Sequence, residues 1–174
     1  MPILGVLGGP QAPWEAAVAA FSEVYGPVAL SGPVVPFDRT DYYEKEFGEG
    51  LRRQYLAFSE LVPAEALVEI KEHTAALETR FASSAGDRGI NLDGGYVDAT
   101  KVVLASFKVG PQKLHVGRGV WADLVLWYSH GAFQRLPWTF PDLRDDAHLP
   151  FFERARGHYK GLARAWRRER PSAP

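Results

Sequence analysis

The chain has 174 residues, a formal net charge of −1, 46% hydrophobic and 24% charged residues, and no cysteine. Those values fit one compact soluble domain and exclude disulfides, thiolate metal ligands and a cysteine nucleophile. The near-zero charge argues against a broad nucleic-acid binder, and no run of about 18 apolar residues marks a membrane-spanning helix.

"ILGVLGG" reads as a short buried strand with a glycine exit. No basic segment precedes it, so it is not a secretory signal, and with the missing cysteines it makes the cytoplasm the expected compartment. Pro13 suits the first turn of a helix, in which Trp14, Ala17, Val18, Phe21 and Tyr25 recur at helical spacing until Gly26-Pro27 stops it. The glycines of "GVLGGPQAPW" fit neither the Walker pattern nor the dinucleotide fingerprint, although amides at that helix start can hold an anion. "VALSGPVVPF" is a second extended segment, placed at an edge or bulged by Pro33.

The acidic "FDRTDYYEKEFGEG" concentrates carboxylates, from which Asp41 and Glu44 are the expected ligands of a divalent cation such as Mg; a solvated acidic loop is the competing reading. "RQYLAFSELV" reads as a third strand. Pro63 then opens the clearest helix, with Leu67, Ile70, Thr74, Leu77 and Phe81 on one stripe. A loop at Ser83, Ser84 and Gly86 leads to "RGINL", a fourth strand.

"NLDGGY" is expected to be a turn whose glycines permit geometry closed to other residues, with Asn91 and Asp93 turned toward a site. An Asx-turn held by Asp93 is the alternative. "KVVLASFK", "KLHV" and "VWADLVLWY" follow as three strands joined by short turns, and a last amphipathic helix carries Phe152, Ala155, Tyr159, Leu162 and Trp166. Its basic end, Lys160 to Arg170, complements the helix dipole or meets RNA or a protein partner.

A three-residue loop at 117–119 pairs Val116 with Val120 and puts Leu114 and Val116 on the apolar face of Val120, Ala122, Leu124 and Leu126. Carried back, that register pairs Lys108 with Lys113 and Phe107 with Leu114. The opposite face then shows Ser106, Lys108, Lys113, His115, Trp121, Asp123 and Trp127, with Val125 among them. Ordinary sheet support from an opposed Lys113–Asp123 pair, and a ligand face, are both open readings. The proline-bounded "LPWTFPDLR", with Trp138 and Asp142, is a stiff loop able to position functional groups or to cover the core. His-x-x-His and His-Glu-x-x-His metal motifs and serine-hydrolase elbows are absent.

"FDRTDYYEKEFG", "LETRF", "RGINLDGGY", "KVVLASFK", "GRGVWADLVLWY" and "LPWTFPD" follow one another in an order that resembles the prokaryotic family catalogued as domain of unknown function 4416, over residues 1 to about 160. In that pattern proline usually stands at Gly94, and arginine, tyrosine and glutamate at Lys113, His115 and Asp123. Some members carry an automatic GTP-binding label, but the phosphate loop and a guanine-reading Asn-Lys-x-Asp are missing here. The resemblance implies a shared fold and no reaction.

The resulting expectation is one α+β domain over 1–170 with a frayed tail at 171–174. Its first half is ferredoxin-like, in the order βαββαβ, extended by an antiparallel meander and a C-terminal helix. The expected function is binding or processing of a small anionic ligand, a nucleotide or other phosphate ester. Arg88, Asn91, Tyr96, Lys101, Lys108, Lys113, Trp138 and Asp142 are the ligand contacts, and Asp93, Asp123 and His115 the catalytic candidates. The alternative is a non-catalytic interaction or RNA-binding protein that uses surface tryptophans and the basic last helix.

Overall fold

The computed structural model describes residues 1–37, 47, 49–82, 89–144 and 146–169. The first strand, β1 (Pro2–Gly8), is buried along its whole length. Its near-continuous apolar run is what a strand covered on both faces requires. β4 (Arg52–Phe58) pairs with one side of it and β5 (Asn91–Val97) with the other, both antiparallel.

The short β2 (Val28–Ser31) and β3 (Val35–Pro36) both lie on the outer side of β4. Gly32 and Pro33 break what would otherwise be one edge strand, as the proline predicts. Beyond β5 come β6 (Lys101–Ser106), β8 (Val120–Ser129) and the edge strand β7 (Leu114–Gly117), with β9 (Ala132–Arg135) paired to the far end of β8. The strand path is β2-β4-β1-β5-β6-β8-β7, and every described pairing is antiparallel.

Two helices cover one face of this sheet. α1 (Trp14–Tyr25) and α2 (Leu67–Arg80) bury Phe21, Tyr25, Ile70 and Leu77 against Leu4, Val6, Leu56 and Leu92. The opposite face is covered by α4 (Leu149–Glu169), whose Phe151, Phe152 and Ala155 pack on Ile3, Tyr55, Val97 and Leu126. The short α3 (Pro141–Arg144) adds Leu143 to that cluster. Each such aromatic or leucine removed from water contributes about 1.5–3 kcal/mol, so both cores are substantial. No helix among the described residues is long and apolar enough to cross a membrane.

Four local expectations are corrected. "NLDGGY" is strand rather than turn, and neither Gly94 nor Gly95 has a positive φ. The glycines are there for space. A Cβ on Gly94 would lie 2.6 Å from Ile70 Cγ2 of α2, and one on Gly95 would lie 2.1 Å from the Val103 carbonyl oxygen.

β6 pairs with β8, not with β7, so the chain passes over the sheet between Phe107 and Lys113 and inserts β8 between them. Lys108 is therefore not opposite Lys113, nor Phe107 opposite Leu114.

The β7–β8 loop holds two residues, Arg118 and Gly119, both with positive φ, and closes on Gly117–Val120 with Val116 bulged out. Leu114 opposite Ala122 and His115 opposite Trp121 keep the expected register. However, Leu114 is 73% exposed, because α2 covers β8 and stops short of the edge strand. A bulge opposite Val102–Val103 sends both Val125 and Leu126 into the core and turns Trp127 out to solvent, off the face of Asp123.

Candidate functional site

β5 and β6 are joined over a short stretch, Gly95 to Val97 against Leu104 to Val102. Above it β5 stays with β1 up to Asn91–Leu7, while β6 stays with β8 up to Ser106–Trp121. The sheet parts there, and a cavity of about 260 Å³ opens between the two strands. Lys71 and Glu78 of α2 line it on one side, with Phe140 as a further wall; Asn91, Asp93, Ser106, Lys108, Lys113 and Asp123 complete its polar lining.

α2 reaches the notch because Lys71 and Glu78 are seven residues apart and share the buried stripe of Leu67, Thr74 and Leu77. Glu78 Oε1 accepts the Leu92 N–H at 2.6 Å, an amide that lies outside the short β5–β6 pairing. Lys71 is 9% exposed, and its ammonium sits 5.3 Å from the Phe107 ring centre. It has no hydrogen bond or ion pair with any described residue. A mostly buried lysine whose ammonium is left unpaired by these residues suits an anion in the notch.

On the other wall, Lys113 Nζ lies 3.2 Å from Asp123 Oδ2 and donates to Ser106 Oγ at 3.0 Å. Ser106 Oγ also accepts the Lys108 N–H at 3.0 Å. Asp123 is 2% exposed, and its second oxygen, Oδ1, has no hydrogen-bond partner among the described residues. The loop carrying Lys108 and Lys113 is thus tied to β6 and β8 through side chains.

Asp93 stands at the junction of the notch with a second, closed cluster. Its Oδ2 accepts Arg53 Nη1 at 2.6 Å and Asn91 Nδ2 at 2.9 Å. Arg53 is buried, and its Nε lies 3.2 Å from Asp142 Oδ2, close enough for an ion pair but misaligned for a hydrogen bond. Tyr55 O–H donates to the same Asp142 oxygen at 2.9 Å, and the guanidinium rests against the rings of Phe37 and Tyr55. Gly5 makes the room, since a Cβ there would lie 2.7 Å from Tyr55 Cε1 and 3.2 Å from Arg53 Nη1.

Burial pushes the Asp93 carboxyl up, but the Arg53 charge and hydrogen bond, helped by Lys71 and Asn91, outweigh it and hold the group below its usual range. Burial lowers the Arg53 guanidinium, yet Tyr55, Asp93 and Asp142 together raise it, so it stays charged. Burial and the Asp142 charge drive the Tyr55 hydroxyl well up, which keeps it a donor. Asp93 is therefore an ion-paired carboxylate, poorly suited to taking a proton.

The notch brings together five of the candidate site residues, Asn91, Asp93, Lys108, Lys113 and Asp123, with Ser106 of the expected polar face beside them. The others lie elsewhere. His115 is exposed on β7 against Trp121, with ring centres 5.1 Å apart. Tyr96 packs with Leu67 and Leu124 under α2, and Lys101 pairs with Asp98 at the β5–β6 turn. Trp138 Nε1 donates to the Leu124 carbonyl, and Asp142 belongs to the Arg53 cluster. Asp41, Glu44 and Arg88 lie outside the described residues, and among the described ones no three His, Asp or Glu side chains gather as a metal site.

Sequence reasoning missed Lys71, Glu78 and Arg53. Lys71 and Glu78 did carry a signal, because both fall on the apolar stripe of α2. A larger open groove of about 560 Å³ passes the start of α1 between Trp14 and Arg52, where an anion was considered; the charged side chains on its described walls, Glu15 and Arg52, are exposed.

The sequence model of a family described as "Domain of unknown function (DUF4416)" matches residues 3–159. Comparisons with curated proteins and with solved structures return no match.

Proposed function

Because the chain belongs to the DUF4416 family, whose description assigns no chemistry, we propose from its geometry that it binds a small anionic ligand, a phosphate ester, in the notch between β5 and β6. One observation carries this reading: Lys71, 9% exposed, lines the notch and makes no hydrogen bond or ion pair with a described residue. Lys108 and Lys113 line it as well, the latter already paired with Asp123. Asp93 is already committed to Arg53, so the reading is of binding, with no proton transfer assigned to that carboxylate.

We further read residues 2–97 as ferredoxin-like. The antiparallel order β2-β4-β1-β5, with α1 and α2 on one face, supports that description. A second reading keeps the exposed end of α4, with Arg164, Arg167 and Arg168, as a surface for RNA or a protein partner.

The test is a thermal-shift screen of the full chain with inorganic phosphate, sugar phosphates, nucleotides and divalent metals, run beside Lys71→Met. A phosphate-ester response in the wild type that Lys71→Met abolishes is the expected result. Silence across the screen, together with retention of a single-stranded RNA oligomer, would move the function to α4.

A further inference from the structure

We propose that the notch selects a small hydroxylated phosphate monoester, a polyol or sugar phosphate, by reading a hydroxyl as well as the phosphate; this rests on the anion-binding reading above. The argument is one of complementary deficits. Within the notch, Asp93 is answered by Arg53, and Asp123 by Lys113. Glu78 accepts the Leu92 N–H, and Lys71 makes no hydrogen bond or ion pair with a described residue, which places the ligand's phosphate.

The second deficit is an acceptor. Asp123 Oδ1 is buried and has no donor among the described residues, while Oδ2 of the same carboxylate is held by Lys113. A buried acceptor left unmade is unfavourable, and a ligand O–H or N–H cures it. The identity of that donor follows from its neighbour. A ligand ammonium at Oδ1 would share one carboxylate with the Lys113 ammonium, 3.2 Å from Oδ2, and be repelled by it. A neutral hydroxyl meets no such opposition.

Size supplies the third constraint. A cavity of about 260 Å³ lies below the roughly 300–1,000 Å³ of sites that enclose drug-sized ligands, so it favours a short polyol or sugar over a whole nucleotide. The same site that needs an anion on the α2 side therefore needs a hydroxyl on the β8 side. Those two features on one small molecule define the class.

The experiment is isothermal titration of the full chain with sn-glycerol 3-phosphate, n-propyl phosphate and phosphoethanolamine. These share a phosphate monoester and differ in carrying hydroxyls, neither group, or an ammonium. Glycerol phosphate is expected to bind about tenfold tighter than propyl phosphate, the worth of one net hydrogen bond. The paired variant Lys113→Met with Asp123→Val removes the carboxylate and its counterion together, and should bring that ratio to about one.

Equal binding of glycerol and propyl phosphates by the wild type would overturn the hydroxyl inference and leave the anion site standing. Tightest binding of phosphoethanolamine would overturn it in favour of an ammonium donor. Retention of the tenfold ratio in the paired variant would also overturn it, by moving the hydroxyl contact off Asp123. Absence of binding by all three, or undiminished binding in Lys71→Met, would take down the anion site itself and the inference with it.

Discussion

Arg53 and Lys71 are both buried cations on the sheet's two sides, and their surroundings differ in kind. Arg53 has two carboxylates within 3.2 Å and two aromatic rings against its guanidinium. Lys71 has one ring against its ammonium and, among the described residues, no hydrogen bond or ion pair; Asp93 feels its charge from farther off. Taking a charge out of water costs several kcal/mol unless partners replace the hydration. The first cluster replaces it internally, so it is architecture that binds β4, β5 and α3 together. On the proposed reading, the second leaves the replacement to the ligand of the notch.

The sharpest way to test the architectural half is Arg53→Met. It strands Asp93 and Asp142 without their cation, and stability should fall by about 3–5 kcal/mol. The measurement is a lower urea midpoint at unchanged slope. A change within 1 kcal/mol or so would mean the carboxylates are served by solvent, and the cluster would lose its structural standing.

Asp93→Asn comes next. A turn-forming Asp93 would tolerate Asn, and a catalytic Asp93 would leave stability intact; the Arg53 contact predicts neither. The loss of a charged hydrogen bond at a carboxylate 31% exposed to the notch should cost about 1–3 kcal/mol. Because the folded carboxyl lies below its ordinary value near 3.9, its contribution is complete above that value and fades as pH falls through it toward the folded one. The stability gap between wild type and Asp93→Asn should hold from about pH 7 to 5 and close below about pH 4. A gap that widens on acidification would contradict the ion pair.

What could be read in advance divides along the range of the interactions. The stripes of α1 and α4 were legible because Phe21 and Tyr25, or Phe152 and Ala155, obey a local period. Lys113 facing Asp123 was legible too, since strand alternation sets the face whichever strands are neighbours. The neighbours themselves were not. Sequential strands pair often but not always, and β8 enters between β6 and β7. Asn91 to Gly95 looked like a turn because Asn, Asp and Gly are poor strand formers. What makes them strand is the close approach of Ile70 and of the Val103 carbonyl, which a glycine inside a strand can signal. Arg53 was hidden because its partner is 40 residues away.

Lys71→Met breaks the comparison from the other side. Met keeps the unbranched stem and removes a charge that makes no ion pair with a described residue, so the ligand-free protein should stay within about 1 kcal/mol of the wild type. The same variant should lose the stabilisation that a phosphate ester gives the wild type, about 2.7 kcal/mol at a hundred times its Kd. Destabilisation on the scale of Arg53→Met would make Lys71 another structural cation.

The smallest effect belongs to Lys101→Met, and it sharpens the comparison by using a lysine that the notch does not include. Lys101 pairs with Asp98 at the partly exposed β5–β6 turn. That turn does not depend on the ammonium. Asp98 Oδ1 accepts the Thr100 N–H at 2.6 Å, the Thr100 hydroxyl at 2.9 Å and the Lys101 N–H at 2.9 Å. The Asp98 N–H donates to the Lys101 carbonyl at 3.0 Å, so the main chain is satisfied without the side chain. Removing an exposed pair of this sort costs about 0.2–1 kcal/mol, less at high salt. Lys101 is absent from the notch lining, so the phosphate-induced thermal shift should match the wild type's. If Lys101→Met weakens that shift as Lys71→Met does, positive charge anywhere on this half of the sheet is what the ligand senses. Burial without a counterion would then no longer distinguish the site.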